Sequence, residues 1–259
     1  MTPEALKEFL LEKAELYEVP DFIPDDPLSI PHRFEVPLDI EVSGFLAATL
    51  AWGNRTAILK SLNALMERMD HAPGDFMLQH EPSDLAAFDG FVHRTFQADD
   101  MKGFAMALKS LLVEHGSLEA LFSKAWQDAR DTTQLKEAIC SFHESFVRAP
   151  GVLDRTQKHV ANPMKGSAAK RINLFLRWMV RPATRGVDLG LWRTIPPSVL
   201  SLPLDVHTAS VSRKLGLLHR KSNDWKAVEE ITTALRAMDP IDPVRLDFAL
   251  FGLGALEGF

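Results

Sequence analysis

Apolar residues recur at helical spacing along most of this chain. In Pro3–Tyr17 they fall at Leu6, Phe9, Leu10, Ala14 and Tyr17, which predicts an amphipathic helix. Residues 20–37, PDFIPDDPLSIPHRFEVP, break the pattern with prolines and aspartates and predict irregular chain. The periodicity resumes over Asp39–Met69, where Gly53 and Asn54 interrupt it. Two helices with a turn between them are expected there, the first of them buried. Residues 71–79 and 82–88 predict short helical pieces or loops. Further helices are expected at Asp99–Glu114, Ser117–Asp128, Thr133–Phe146, Asn162–Arg181, Asp205–Leu217, Asn223–Met238 and Asp242–Leu256. Ser117 and Asn223 are placed to cap two of these, and Lys226 and Glu230 form an i,i+4 pair. No stretch alternates polar and apolar residues as a strand would, so the expected fold class is all-α.

Composition narrows this picture. With 259 residues the chain is long enough for one large domain or two small ones. Its single cysteine, Cys140, excludes an internal disulfide, a Cys-based zinc site and an iron–sulfur cluster. The start of the chain lacks the basic and apolar regions of a signal peptide. No segment approaches the roughly 20 apolar residues of a membrane span, so a cytoplasmic protein without membrane contact is expected. Phenylalanine is abundant (16) and tyrosine scarce (1).

Charge is unevenly distributed. Residues 151–226 hold 14 Lys/Arg and 4 acids, a balance of +10 in a chain of net charge −6, so the rest carries −16. Such asymmetry is consistent with a polyanion partner, and equally with solvated basic helices.

Two segments inside that region carry candidate chemistry. In GSAAKRINLFLRWMVR, Lys170 lies in the early turns of a helix beside the small residues Ser167, Ala168 and Ala169. A lysine amine is nucleophilic only when neutral, a state that partial desolvation near a helix start favours. A turn ahead of a helix also points N–H groups outward, which suits a phosphate, and Lys165, Arg171, Arg177 and Arg181 add positive charge. In SLPLDVHTASVSRKLGLL, Asp205 opens a helix, where a carboxylate can cap, stabilise a developing cation or move a proton. Nucleophilic lysine, carboxylate and phosphate-friendly turn together suggest attack on the anomeric carbon of a nucleotide, with a Schiff base after the base departs. His207 completes an Asp-x-His pair, too few ligands for a metal, and no metal or other cofactor is expected. Trp52 suits either base stacking or the core. Asp247, in the apolar run RLDFALFGLG, needs a partner if buried, with Arg245 or a backbone group as candidates.

These segments resemble the helix-hairpin-helix DNA glycosylase superfamily, whose hairpin reads Leu-Pro-Gly-x-Gly-x-Lys-x-Ala and is followed by a Val-Asp-x-His segment opening a helix. MKGSAAKRI, Met164 to Ile172, lies over that hairpin, with Gly166 at its first glycine and Lys170 on its catalytic lysine. LPLDVHTASVSRKLGL resembles the second segment, with Asp205 on its aspartate. FLAATLAWGNRTA, Phe45 to Ala57, is similar to the family's early helix and its probe turn, which implies that Gly53 and Asn54 meet the gap left by a flipped base. The chain departs from the pattern at Ala168, in place of the second glycine, and at Lys165, in place of the proline. It also departs in the 35 positions between Lys170 and Asp205. The archaeal 8-oxoguanine glycosylase branch has a similarly long interval and no metal cluster. As a whole the chain also resembles a bacterial family of this length without an assigned substrate.

The resemblance implies a two-lobed helical fold, with lobe 1 at about 39–150 and lobe 2 at about 151–240 plus the last helix, 242–256. It implies a DNA repair glycosylase with β-lyase activity. Lys170 and Asp205 would be catalytic, and Lys165, Gly166, Ser167, Ala168 and Arg171 would hold DNA. Trp52, Asp247 and Phe251 would line the base pocket, between the lobes. An oxidised purine is the implied base. Two alternatives stay open: a non-catalytic nucleic-acid-binding protein that kept the hairpin, and a glycosidase of modified nucleosides or RNA. No feature of the sequence sets an oligomeric state.

Overall fold

The computed structural model describes residues 2–259. The described residues form eleven α-helices: α1 (Pro3–Tyr17), α2 (Pro37–Leu50), α3 (Arg55–Arg68), α4 (Pro73–Gln79), α5 (Ala98–His115), α6 (Leu118–Gln127), α7 (Lys136–Arg148), α8 (Lys170–Val180), α9 (Val206–Lys214), α10 (Trp225–Met238) and α11 (Asp247–Ala255). The fold is all-α apart from a two-residue antiparallel ladder, β1 (Val92–His93) with β2 (Phe96–Gln97). Among the described residues no helix is long and apolar enough to cross a membrane.

Several boundaries differ from the sequence expectation, each for a local reason. The proline-rich stretch after α1 winds into three short 3₁₀ turns, because proline fixes φ while blocking regular helix. The expected helix at Asn162 begins only at Lys170. Asn162 caps a 3₁₀ turn at Met164 N (2.9 Å), and Gly166 and Ala169 then adopt left-handed φ of 85° and 50°. The α10 cap is Asp224, which accepts from Ala227 N at 3.2 Å, and not Asn223. Glu230 does not pair with Lys226. It accepts from His219 N (2.6 Å) and Arg220 N (3.3 Å).

The chain divides into two compact units. Phe22–Arg130 with Lys136–Ala161 carries α2 to α7 and the small ladder. The helix α2 is buried over 41–50, on all faces, as its nearly uniform apolarity requires. Its buried carboxylate Glu41 accepts from Leu118 N (2.9 Å) and Glu119 N (3.0 Å), so α2 supplies the cap of α6 together with Ser117. Asp39 does the same for α4 through Gly74 N (2.7 Å). The core is a phenylalanine cluster. Phe104 and Phe146 lie 4.7 Å apart, Phe122 and Phe142 4.8 Å, Phe96 and Phe104 5.1 Å, and Phe45 and Phe142 5.5 Å. This accounts for part of the phenylalanine excess, since edge-to-face packing of such rings needs no phenolic partner.

The other unit comprises residues 2–21, 131–135 and 162–259 and carries α1 and α8 to α11. At its centre α11 packs on α1 and α9. Two glycines permit this. A Cβ at Gly252 would fall 2.1 Å from the Tyr17 ring, and one at Gly254 would meet Val211 and His207 at 3.0–3.1 Å. Residues 182–204 fold back on α8, with Leu189 N and Trp192 N donating to the carbonyls of Trp178 (2.9 Å) and Met179 (2.8 Å). Trp178 and Trp192 are fully buried there.

Candidate functional site

The candidate catalytic residues of the second unit stand at helix starts. Lys170 is the first residue of α8, half-buried, and its ammonium has no hydrogen bond or ion pair among the described residues. The hairpin before it is held by its own backbone. Ser167 N donates to Asn162 O (3.3 Å), Ser167 Oγ accepts from Ala169 N (3.2 Å), and buried Asn173 donates to Ala168 O (3.3 Å). Gly166 supplies the left-handed conformation at its position, as glycine readily does. The position of the second glycine, Ala168, has ordinary φ. The strained residue is Ala169, where an alanine holds φ +50°. Lys165, Gly166 and Ser167 are exposed, and Ala168 and Arg171 half-buried.

Asp205 caps α9 in a reciprocal capping box with Thr208. All of its accepted bonds fall on one oxygen: Oδ1 takes His207 N (2.8 Å), Thr208 N (2.9 Å) and Thr208 Oγ1 (2.9 Å). Oδ2 has no hydrogen-bond partner among the described residues. The carboxylate is half-buried, so that oxygen is accessible.

Asp247 opens α11 and is 5% exposed. Its partner is Arg177, one face of α8 below Lys170, at 2.6 Å from Oδ2, and not Arg245, which reaches Glu18 and Glu15. Arg177 also contacts Asp188 at 3.3 Å and stacks 4.6 Å over Phe248. Burial pushes the Asp247 carboxyl up to about 6, and the charge of Asp205 adds to this, while Arg177 and Lys170 oppose it. Phe251, one turn along α11, is half-buried and meets the His207 ring edge-on at 6.3 Å. The structure thus packs α9 against α11 and ties Asp247 of α11 to Arg177 of α8. Among the described residues no group of three His, Cys, Asp or Glu side chains is arranged to hold a metal ion.

The Gly53 turn belongs to the first-described unit. Gly53 has φ +110°, and Asn54 caps α3 through Ala57 N (3.2 Å). Trp52 is half-buried. Its Nε1 is enclosed without a partner among the described residues, and the Arg94 guanidinium sits 4.7 Å over its ring. A Cβ at Gly53 would fall 2.5 Å from Arg94 Nη1, so this glycine also makes room for the stack. His93 holds the Trp52 carbonyl at 3.3 Å, and burial pushes its imidazole below the usual range.

The basic excess of 151–226 is smaller as a surface than as a count. Arg177 and Arg181 are buried in ion pairs with Asp247, Asp188, Asp242 and Glu18. Arg185 reaches Glu18, Arg155 reaches Asp100, and Arg220 reaches Asp224. Arg94 was not singled out by the sequence, and Arg177, expected there to add charge for a phosphate, instead serves Asp247. Arg177 stands seven positions after Lys170, two turns along the same face, and that spacing was the available signal.

The chain belongs to the family described as Protein of unknown function (DUF2400), whose model matches residues 26–256. Neither a curated protein nor a solved structure matches it.

Proposed function

We propose that this protein is a DNA glycosylase with abasic-site lyase activity, acting on a damaged base of the oxidised-purine class. The observation that carries the reading is Lys170 at the first position of α8, directly after the hairpin, half-buried and with its ammonium in no hydrogen bond or ion pair among the described residues. The amine is therefore not committed to a structural partner.

In this reading Lys170 loses a proton, and its lone pair forms a bond to C1′ of the flipped nucleotide. The C1′–N bond breaks, and the base leaves with that electron pair and a proton from solvent. The added nitrogen then releases a proton to the free carboxylate oxygen of Asp205. Asp205 passes that proton to the ring oxygen as the C1′–O bond breaks, giving the protonated Schiff base. Loss of a C2′ proton to solvent and cleavage of the C3′–O bond then expel the 3′ phosphate by β-elimination. A carboxylate beside an oxocarbenium-like centre lowers its energy electrostatically. Phe251 would offer a face to the flipped base, and Asp247 a carboxyl that stays protonated to about pH 6. The hairpin residues Lys165, Gly166, Ser167, Ala168 and Arg171 would hold the DNA backbone. On the other unit, the turn of Trp52, Gly53 and Asn54 would contact nucleic acid.

Borohydride trapping tests this. Wild-type protein mixed with duplexes carrying single lesions should give a covalent adduct on reduction, absent in Lys170→Gln. Base release should fall at least about 10²-fold in Asp205→Asn, the usual scale for one general acid–base group. Absence of an adduct on every lesion, with duplex binding intact, would leave a non-catalytic binder. A second reading, a glycosidase of free modified nucleosides, draws on the internal neutralisation of Arg177, Arg181 and Arg185. It predicts turnover insensitive to salt, whereas a duplex binder weakens steeply.

A further inference from the structure

The hairpin before α8 does not stand alone. Ser167 forms an antiparallel bridge with Asp224, and Trp225 N donates to Gly166 O at 3.2 Å. The loop between α9 and α10 is thereby fastened along the hairpin's outer edge. That loop is also tied from below. Arg213 donates to Arg220 O (2.9 Å), Lys221 O (3.0 Å) and Asn223 Oδ1 (2.6 Å).

The charges of this loop are sorted by these ties. Asp224 is occupied by the Arg220 guanidinium and the α10 cap, and these contacts pull its carboxyl down to about 2. Glu230 is occupied by His219 and the Arg220 N–H, and Glu229 accepts from Trp225 Nε1 at 2.8 Å. The acids are thus engaged inside the loop and helix. Lys221 and Lys226 are exposed and their ammonium groups have no partner among the described residues, and neither has that of Lys165 on the adjoining hairpin.

We infer that the α9–α10 loop extends the hairpin into a single phosphodiester-binding surface, on which Lys221 and Lys226 contact DNA backbone phosphates beyond those reached by the hairpin. This rests on the DNA-binding reading above. Three arguments support it. The two segments are joined by backbone, so their lysines keep a common geometry. Asp224, the carboxylate beside the hairpin bridge, is offset by the Arg220 guanidinium, so it does not oppose an anion there. The loop is braced by Arg213, so little ordering entropy is lost on binding.

The test is the salt dependence of binding of a short undamaged DNA duplex by the full chain, for wild type and the double variant Lys221→Gln/Lys226→Gln. Each phosphate contact contributes about 0.9 to the slope of log affinity against log salt. The double variant should therefore lose about 2 in slope, equally for unrelated sequences. Lys221→Arg/Lys226→Arg should retain the wild-type slope. A wild-type slope in the Gln variant would overturn the loop's role while leaving the DNA-binding reading standing. Failure of wild-type protein to bind duplex in a salt-dependent way would overturn both.

Discussion

Asp205 divides its work between two oxygens, and that division separates capping from charge. Oδ1 accepts three bonds within α9, which an asparagine carbonyl can equally accept. Asp205→Asn should therefore keep nearly all the stability in urea denaturation while losing base release. Asp205→Ala should lose about 1 kcal/mol of stability as well. Asp247 makes a pH prediction. Its folded value near 6 lies above the ordinary 3.8, so its contribution to stability is fully present below about pH 4 and lost as pH rises through 6. Wild type minus Asp247→Asn, measured by denaturation from pH 3 to pH 8, should fall by up to about 3 kcal/mol over that window. A flat difference would show that Arg177 offsets the burial in full. At this scale the sequence was informative where the chemistry is local. Asp205 was readable as a cap because the N–H groups it accepts from lie two and three positions on. The partner of Asp247 was not, because Arg177 is 70 positions away and the nearby Arg245 turns to Glu18.

Among the elements, α11 depends on absent side chains. Gly252 lets the Tyr17 ring of α1 lie against its backbone, and Gly254 gives the same clearance to α9. Gly252→Ala forces α1 away and should destabilise the protein by about 1–3 kcal/mol, read as a lowered urea midpoint. Helix propensity alone would predict stabilisation by up to about 1 kcal/mol, so the sign decides between the two effects. Helices with clear apolar stripes, such as α1 and α10, were legible from periodicity. The start of α8 was not. Its helical pattern runs back to Asn162, but a side-chain cap at Met164 and two left-handed residues hold that stretch as a hairpin. Tertiary pairing of Ser167 with Asp224 favours the hairpin, and no sequence window contains both.

Over the whole chain, charge is organised by burial more than by count. Arg181 binds Asp188, Asp242 and Glu18, and its guanidinium lies 5.2 Å over Phe248. Arg181→Ala would leave several buried carboxylates without their cation and should cost about 3–5 kcal/mol in denaturant titration. Region-by-region counting registered the basic excess but not its internal neutralisation, because ion pairs such as Glu18–Arg181 span 163 positions.

That long span has a consequence for synthesis. The unit holding α1 is assembled from segments on either side of the other unit, for Lys13 and Tyr17 meet Glu257, and α1 lies on α11. The intervening unit, Phe22–Arg130 with Lys136–Ala161, has its own core and emerges from the ribosome complete long before α11 does. During translation α1 therefore waits with its apolar face uncovered until α11 has been made. A ribosome stalled before α11 would carry a chain whose middle is folded and whose α1 is the exposed, chaperone-accessible segment.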